Sequence, residues 1–141
     1  MKINRFEELE CWQSARETMR LVYITSQKNE LKHELEFKSQ FLRAGLSVMN
    51  NIAEGFGRYH SKDFIRSLKL ANASGNELRS MSYVLVDQNF VTSEEQLQLL
   101  EATEKTQKLA GGLIRYLVKS GKTTKSNDTS EISKTPEHLN P

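Results

Sequence analysis

Apolar residues return along this chain every three or four positions, the period of a helix with one buried and one wet face. Four such stretches separate. The first runs Leu9, Trp12, Arg16 by its stem, Met19, and Val22 or Tyr23, and predicts a helix over about residues 6–28. The second runs Phe37, Phe41, Gly45, Val48, Ile52 and Phe56, with Leu42, Leu46 and Met49 beside it. It predicts a helix over about 34–57, with Gly57 as its C-terminal stop. In the third, Ser61 reads as the N-cap and Asp63 sits in the first turn, near the positive end of the helix. Phe64, Leu68, Ala71, Gly75, Leu78 and Leu85 carry its stripe, and Asn89 ends it. Thr92, Ser93, Glu94 and Glu95 have the capping-box form, in which Thr92 and Glu95 satisfy each other's orphan backbone donors. The fourth helix follows, to about Ser120.

Prolines occur only at 136 and 141, so nothing in residues 1–135 forbids long helices. Helices of similar length with short connections make neighbours antiparallel, and an up-down-up-down four-helix bundle buries all four stripes. The expected fold class is therefore all-α, with residues 1–120 as the bundle. From Gly121 onward the larger apolar residues are Ile132 and Leu139. That is too little to offset the entropy of ordering, and 121–141 is expected to be a disordered polar tail. Interior glycines cost a helix about 1 kcal/mol each relative to alanine. Gly45, Gly75 and the Gly111–Gly112 pair therefore suggest places where helix backbones approach closely.

If the second connection is centred near residue 59 or 60, residue i of the second helix faces roughly residue 119 minus i of the third. That register sets Gly45 level with Ser74 and Gly75, Arg43 against Asn76 and Glu77, and Glu54 against Ile65 and Arg66. Ser47, Asn51 and Arg58 continue the stripe of Arg43 and Glu54 at helical spacing. A polar ladder of Arg43, Ser47, Asn51, Glu54, Arg66, Ser74 and Glu77 is expected to fix helix register. A second reading of the same region is a nucleic-acid site, with Arg58, Lys62, Arg66 and Lys69 on one helical stripe offering positive charge to phosphates; Arg43 belongs to either. Asp63 and Glu54 dilute that field.

Composition changes this picture little. Of 141 residues, 20 are Lys or Arg and 18 Asp or Glu, a net charge of +2, so affinity for nucleic acid would have to come from charge placement. One cysteine, Cys11, closes no intramolecular disulfide and fits a reducing compartment. The N-terminus lacks an apolar core of signal-peptide length and no apolar stretch approaches a membrane span, so a cytoplasmic protein with no membrane partner is expected.

Enzymatic chemistry finds few supports. Bundles that hold two metal ions use two Glu-x-x-His pairs. This chain offers one, Glu30 with His33, at the first connection, while His60 sits at another turn and His138 in the tail. There is no Gly-x-Ser-x-Gly elbow, and Cys11 has no evident histidine partner. A Walker-type loop is missing too; Gly55 and Gly57 follow a helix and read as its end. No catalytic residue, metal or cofactor is expected.

The run from Ser47 to Arg58 holds the word Asn51, Ile52, Ala53, Glu54, Gly55. With Ser61, Asp63, Phe64, the segment Ala71 to Leu78, and the opening Phe6, Glu7, Glu8, Leu9 and Trp12, it resembles the bacterial four-helix-bundle family first associated with intervening sequences in 23S ribosomal RNA genes. The resemblance covers about residues 6–118; Met49 stands where many members carry proline, which straightens the second helix locally. The resemblance implies a homo-oligomer, a pentameric ring, and a distant branch serves as accessory protein to a retroelement reverse transcriptase. Such relatives bind RNA or DNA through a basic surface. The expected function is a non-enzymatic homo-oligomeric scaffold whose partners are itself and structured RNA, a ribonucleoprotein or a nucleic-acid-processing protein. The alternative is a protein-binding adaptor with no nucleic-acid role.

Overall fold

The computed structural model describes residues 2–123. Within them lie α1 (Glu10–Ser26), α2 (Leu35–Phe56), α3 (Ser61–Asp87) and α4 (Ser93–Thr123), with short 3-10 turns at Phe6–Glu8 and Asn29–Leu31. Each helix packs on its two neighbours in the order α1, α2, α3, α4, and α4 closes back onto α1. The result is the expected up-down-up-down bundle. α4 runs to Thr123, three residues past the expected end; the rest of the expected tail, from residue 124, lies outside the described residues.

The core follows the apolar stripes. Val22, Leu31, Phe41, Ile52, Phe64, Leu68, Leu78 and Leu85 have no exposed surface. Between Val22 and Tyr23 the structure chooses Val22: Tyr23 is 48% exposed, because the core side of α1 falls on Cys11, Ala15, Met19 and Val22. α1 begins later than its stripe suggested. Leu9 is extended (φ −70°, ψ 128°), and dropping it into the core separates the Phe6 turn from the helix. The lead segment is held by Gln13, whose Nε2 donates to the Glu7 carbonyl (2.9 Å), and by Phe6 set edge-on to Trp12.

The helix ends obey local chemistry, with one correction. α3 is capped by extended His60 without a side-chain bond, and Ser61 is its buried first residue. Its C-terminus closes as a Schellman motif. Phe90 N–H reaches the Leu85 carbonyl (2.9 Å), Asn89 N–H reaches Val86 (3.0 Å), and Asn89 takes the left-handed conformation, φ 61°. The capping box is complete: Thr92 N–H donates to Glu95 Oε1 (2.8 Å) and Glu95 N–H to Thr92 Oγ1 (3.1 Å). Lys28 Nζ lies 2.9 Å from the same carboxylate, tying the first connection to the start of α4.

The glycines face three different neighbours. A Cβ on Gly45 would sit 2.6 Å from Met19 Sδ of α1, and one on Gly75 2.7 Å from Gln107 Nε2 of α4. The expected meeting of Gly45 with Gly75 is thus corrected: they are near one level, but one faces α1 and the other α4. The close approach of α2 to α3 is made by Gly55, whose Cβ would fall 2.6 Å from Ser67 Cβ and 2.8 Å from Phe64 Cδ1. Gly111 has only Arg115 Nη1, at 3.6 Å, above it.

Candidate nucleic-acid interface

The α2–α3 seam carries the residues of the anticipated ladder, and the structure brings three of them together. Ser47 Oγ and Ser74 Oγ are 2.7 Å apart, and Asn51 Nδ2 donates to the Ser47 carbonyl (2.8 Å) and to Ser47 Oγ (3.0 Å). These short side chains span a narrow seam without leaving a half-buried donor unmet. Arg43, Glu54, Arg66 and Glu77 are exposed instead, and none enters an ion pair among the described residues. Arg43 reaches only Ser39 on its own helix, at 3.5 Å. Long side chains at the rim of a seam gain little from a fixed pair in water, so nothing compels them to close.

The four cations proposed for phosphates also separate. α3 starts at Ser61, so Arg58 belongs to the connection and not to a helical stripe; its N–H donates to the Gly55 carbonyl (3.1 Å). Lys62, Arg66 and Lys69 share the solvent face of α3. Lys62 and Lys69, seven residues apart, continue to Asn76, whose Oδ1 accepts from Gln107 of α4 (2.9 Å). That places them on the α4 side of the face. Tyr59, 84% exposed and edge-on to His60 at 5.1 Å, stands between Arg58 and Lys62 in the chain. Asp63, also exposed, remains the acidic neighbour.

A feature that sequence reading missed lies farther along α4. Arg79 of α3 and Glu104, Gln107, Lys108, Gly111 and Arg115 of α4 line a cleft of about 490 Å³. Gln107 is its wedge: Nε2 donates to the Asn72 carbonyl (3.0 Å) and to Asn76 Oδ1, and its side chain fills the notch over Gly75. Arg79 donates from Nη1 to Gln107 Oε1 (3.4 Å) and lies 3.3 Å through Nη2 from Glu104. Its Nε is buried without a hydrogen-bond partner. The signal in the sequence was a polar stripe at 104, 108, 111 and 115, the four-three-four spacing of a helix face. A larger groove of about 890 Å³ between α1 and α4 is lined by four glutamates, Glu10, Glu17, Glu101 and Glu104, against Lys105 and Lys108, a poor surface for phosphates.

The remaining chemistry is spare. Burial pushes the Cys11 thiol up to about 12, although hydrogen bonds from the Trp12 and Cys11 backbones favour its thiolate. No group of three or more His, Cys, Asp or Glu side chains able to hold a metal ion occurs among the described residues. No helix among them is long and apolar enough to cross a membrane.

Comparison with known proteins adds identity to this geometry. No curated protein matches the chain. Among solved structures, the fold matches a protein of unknown function from the S23 ribosomal protein family of Bacteroides thetaiotaomicron, with a TM-score of 0.65. The two share 24% identity over 74% of this chain and 95% of the other, a likeness of fold. The model of the 23S rRNA-intervening sequence proteins matches residues 7–112, which takes in α1, α2, α3 and most of α4. The chain belongs to the 23S rRNA-intervening sequence protein family.

Proposed function

We propose that this protein is a non-enzymatic, homo-oligomeric scaffold that engages structured RNA or a ribonucleoprotein through the α2–α3 turn and the first half of α3. The observation that carries the reading is the exposure of Arg58, Lys62, Arg66 and Lys69, none of them held in an ion pair among the described residues. Cations left unpaired at a surface are available to displace counterions from a phosphate backbone. The family's association with a 23S rRNA intervening sequence supports RNA as the partner. Self-association draws on a different surface. Leu35 is 71% exposed and Leu46 40%, and both fall with Leu42 and Met49 on one edge of α2. That edge flanks the side on which Gly45 meets α1, and Tyr23 of α1 is 48% exposed. An apolar strip of this kind suits burial against a second copy, and the resemblance of the sequence makes a pentameric ring the expected assembly.

Light scattering after size exclusion, at low and high salt and with and without nuclease, tests both parts. The expected result is a pentamer that carries nuclease-sensitive material at low salt and loses it at high salt. Reversing Lys62 and Lys69 together to glutamate should abolish the bound nucleic acid while helicity and particle mass stay unchanged. A clean pentamer under all conditions would favour the protein-binding adaptor, and a monomer would remove the ring.

A further inference from the structure

We propose that the cleft between α3 and α4 is a receptor for a phosphate group, a site separate from the cations of the α2–α3 turn and independent of the RNA reading. Gly111 sits at the mouth of this cleft. Each of Gly45, Gly55 and Gly75 is accounted for by a side chain that a Cβ would strike, whereas the space over Gly111 meets only Arg115 Nη1, at 3.6 Å. Packing among the described residues therefore gives no reason for a glycine in the middle of α4, and the missing side chain leaves the cleft open at that point.

The charge around the opening is in positive excess, three cations to one carboxylate. Arg79, Lys108 and Arg115 line it against the single carboxylate of Glu104. That carboxylate is engaged by Arg79 Nη2, while Lys108 and Arg115 enter no ion pair among the described residues. Arg79 is held in place before any ligand arrives, since Gln107 and Glu104 fix two of its nitrogens and Gln107 is itself anchored on Asn72 and Asn76. Its Nε is buried and faces away from solvent, so the Nη atoms are what the cleft can use. A guanidinium held in this way loses little freedom on binding, and each Nη keeps a second N–H for a phosphate oxygen. A volume of about 490 Å³ accommodates a diphosphate or a short run of phosphodiester.

The group could be supplied by a nucleic-acid strand or by a small phosphorylated molecule, and one titration separates the two. The full chain, followed by NMR at constant ionic strength set with chloride, is titrated with sodium pyrophosphate. Saturable shifts are expected at the Gly111 amide and at the Arg79 and Arg115 Nε–Hε resonances. Lys108→Gln and Arg115→Gln should each weaken binding about fivefold or more. Gly111→Glu should remove saturable binding with circular dichroism unchanged, and Lys32→Gln, far from the cleft, should bind as the parent does. A single-stranded oligoribonucleotide that shifts the same resonances and is displaced by pyrophosphate identifies phosphodiester as the source; shifts with pyrophosphate alone identify a small molecule, and the site stands in both cases. Shifts confined to Arg58, Lys62 and Lys69, or Lys108→Gln and Arg115→Gln variants that bind like the parent, overturn it, whatever becomes of RNA binding at the turn.

Discussion

α3 is packed in two different ways along its two sides. Toward α2 it meets small residues, Gly55 against Ser67 and Ser47 against Ser74, and the seam closes on side chains that cannot move far. Toward α4 the contact is made by a long, jointed side chain, Gln107, lying over Gly75, and beyond it the seam opens at Gly111. Along α3 a glycine thus admits a backbone-proximal atom at Gly55 and a flexible tip at Gly75, whereas at Gly111 no described side chain requires one. Helical glycines are therefore not interchangeable marks of close packing; what stands over each one decides its cost.

The largest effect is expected of Gly55→Ala. The added methyl would fall 2.6 Å from Ser67 Cβ, an atom fixed to its backbone, so the helices must part. Overpacking of this kind costs about 1–3 kcal/mol, more than the gain in helix propensity. A lower urea midpoint with an unchanged slope is the expected outcome, and an unchanged midpoint would show that the seam yields. Gly111→Ala should move the other way. With open space above it the methyl meets no obstacle, and stability should rise by about 0.5–1 kcal/mol; a loss in the same titration would mean that Gly111 is packed against something. The smallest effect belongs to the end of the bundle where the connections meet. The Thr92 backbone N–H, and after it Lys28, hold the Glu95 carboxyl below its usual value, and Glu95 in turn raises Lys28. A lowered carboxylate pKa stabilises the fold above the unfolded value and loses that contribution as pH falls through the folded one; the raised lysine loses its share only as pH climbs past the ordinary lysine range. Melting curves of Glu95→Gln and the parent should therefore differ at neutral pH and converge in acid.

Much of this bundle was legible in the sequence, and the failures have a common cause. Period located the first three helices and their main core side chains, among them Phe41, Ile52, Phe64, Leu68, Leu78 and Leu85, while the fourth helix was readable from the capping box at Thr92, which depends on residues three apart; its buried Leu99, Ala110, Leu113 and Leu117 were not singled out. The antiparallel register set Ser74 level with Gly45, two residues from the Ser47 it meets, and both serines belonged to the expected ladder. The same register could not say that Gly45 turns to α1 and Gly75 to α4, since level along an axis carries no information about which flank of a helix meets which neighbour. It also paired Arg43 with Glu77 and Glu54 with Arg66, although long charged side chains at a wet rim remain where solvent holds them. Arg79, Lys108 and Arg115 were missed as a group because they come from two helices whose lateral offset only packing determines.

Cys11 carries a consequence of its burial that concerns time. Near a helix N-terminus a thiol ordinarily ionises easily, yet here the desolvated sulfur, pushed up to about 12, is almost wholly protonated at neutral pH. Reagents and oxidants attack thiolates, so modification must wait until α1 leaves the bundle. With reagent concentrated enough that reaction of the open form outpaces reclosing, the labelling rate equals the rate at which that helix opens, and the sole cysteine of the chain serves as a built-in clock for its unfolding.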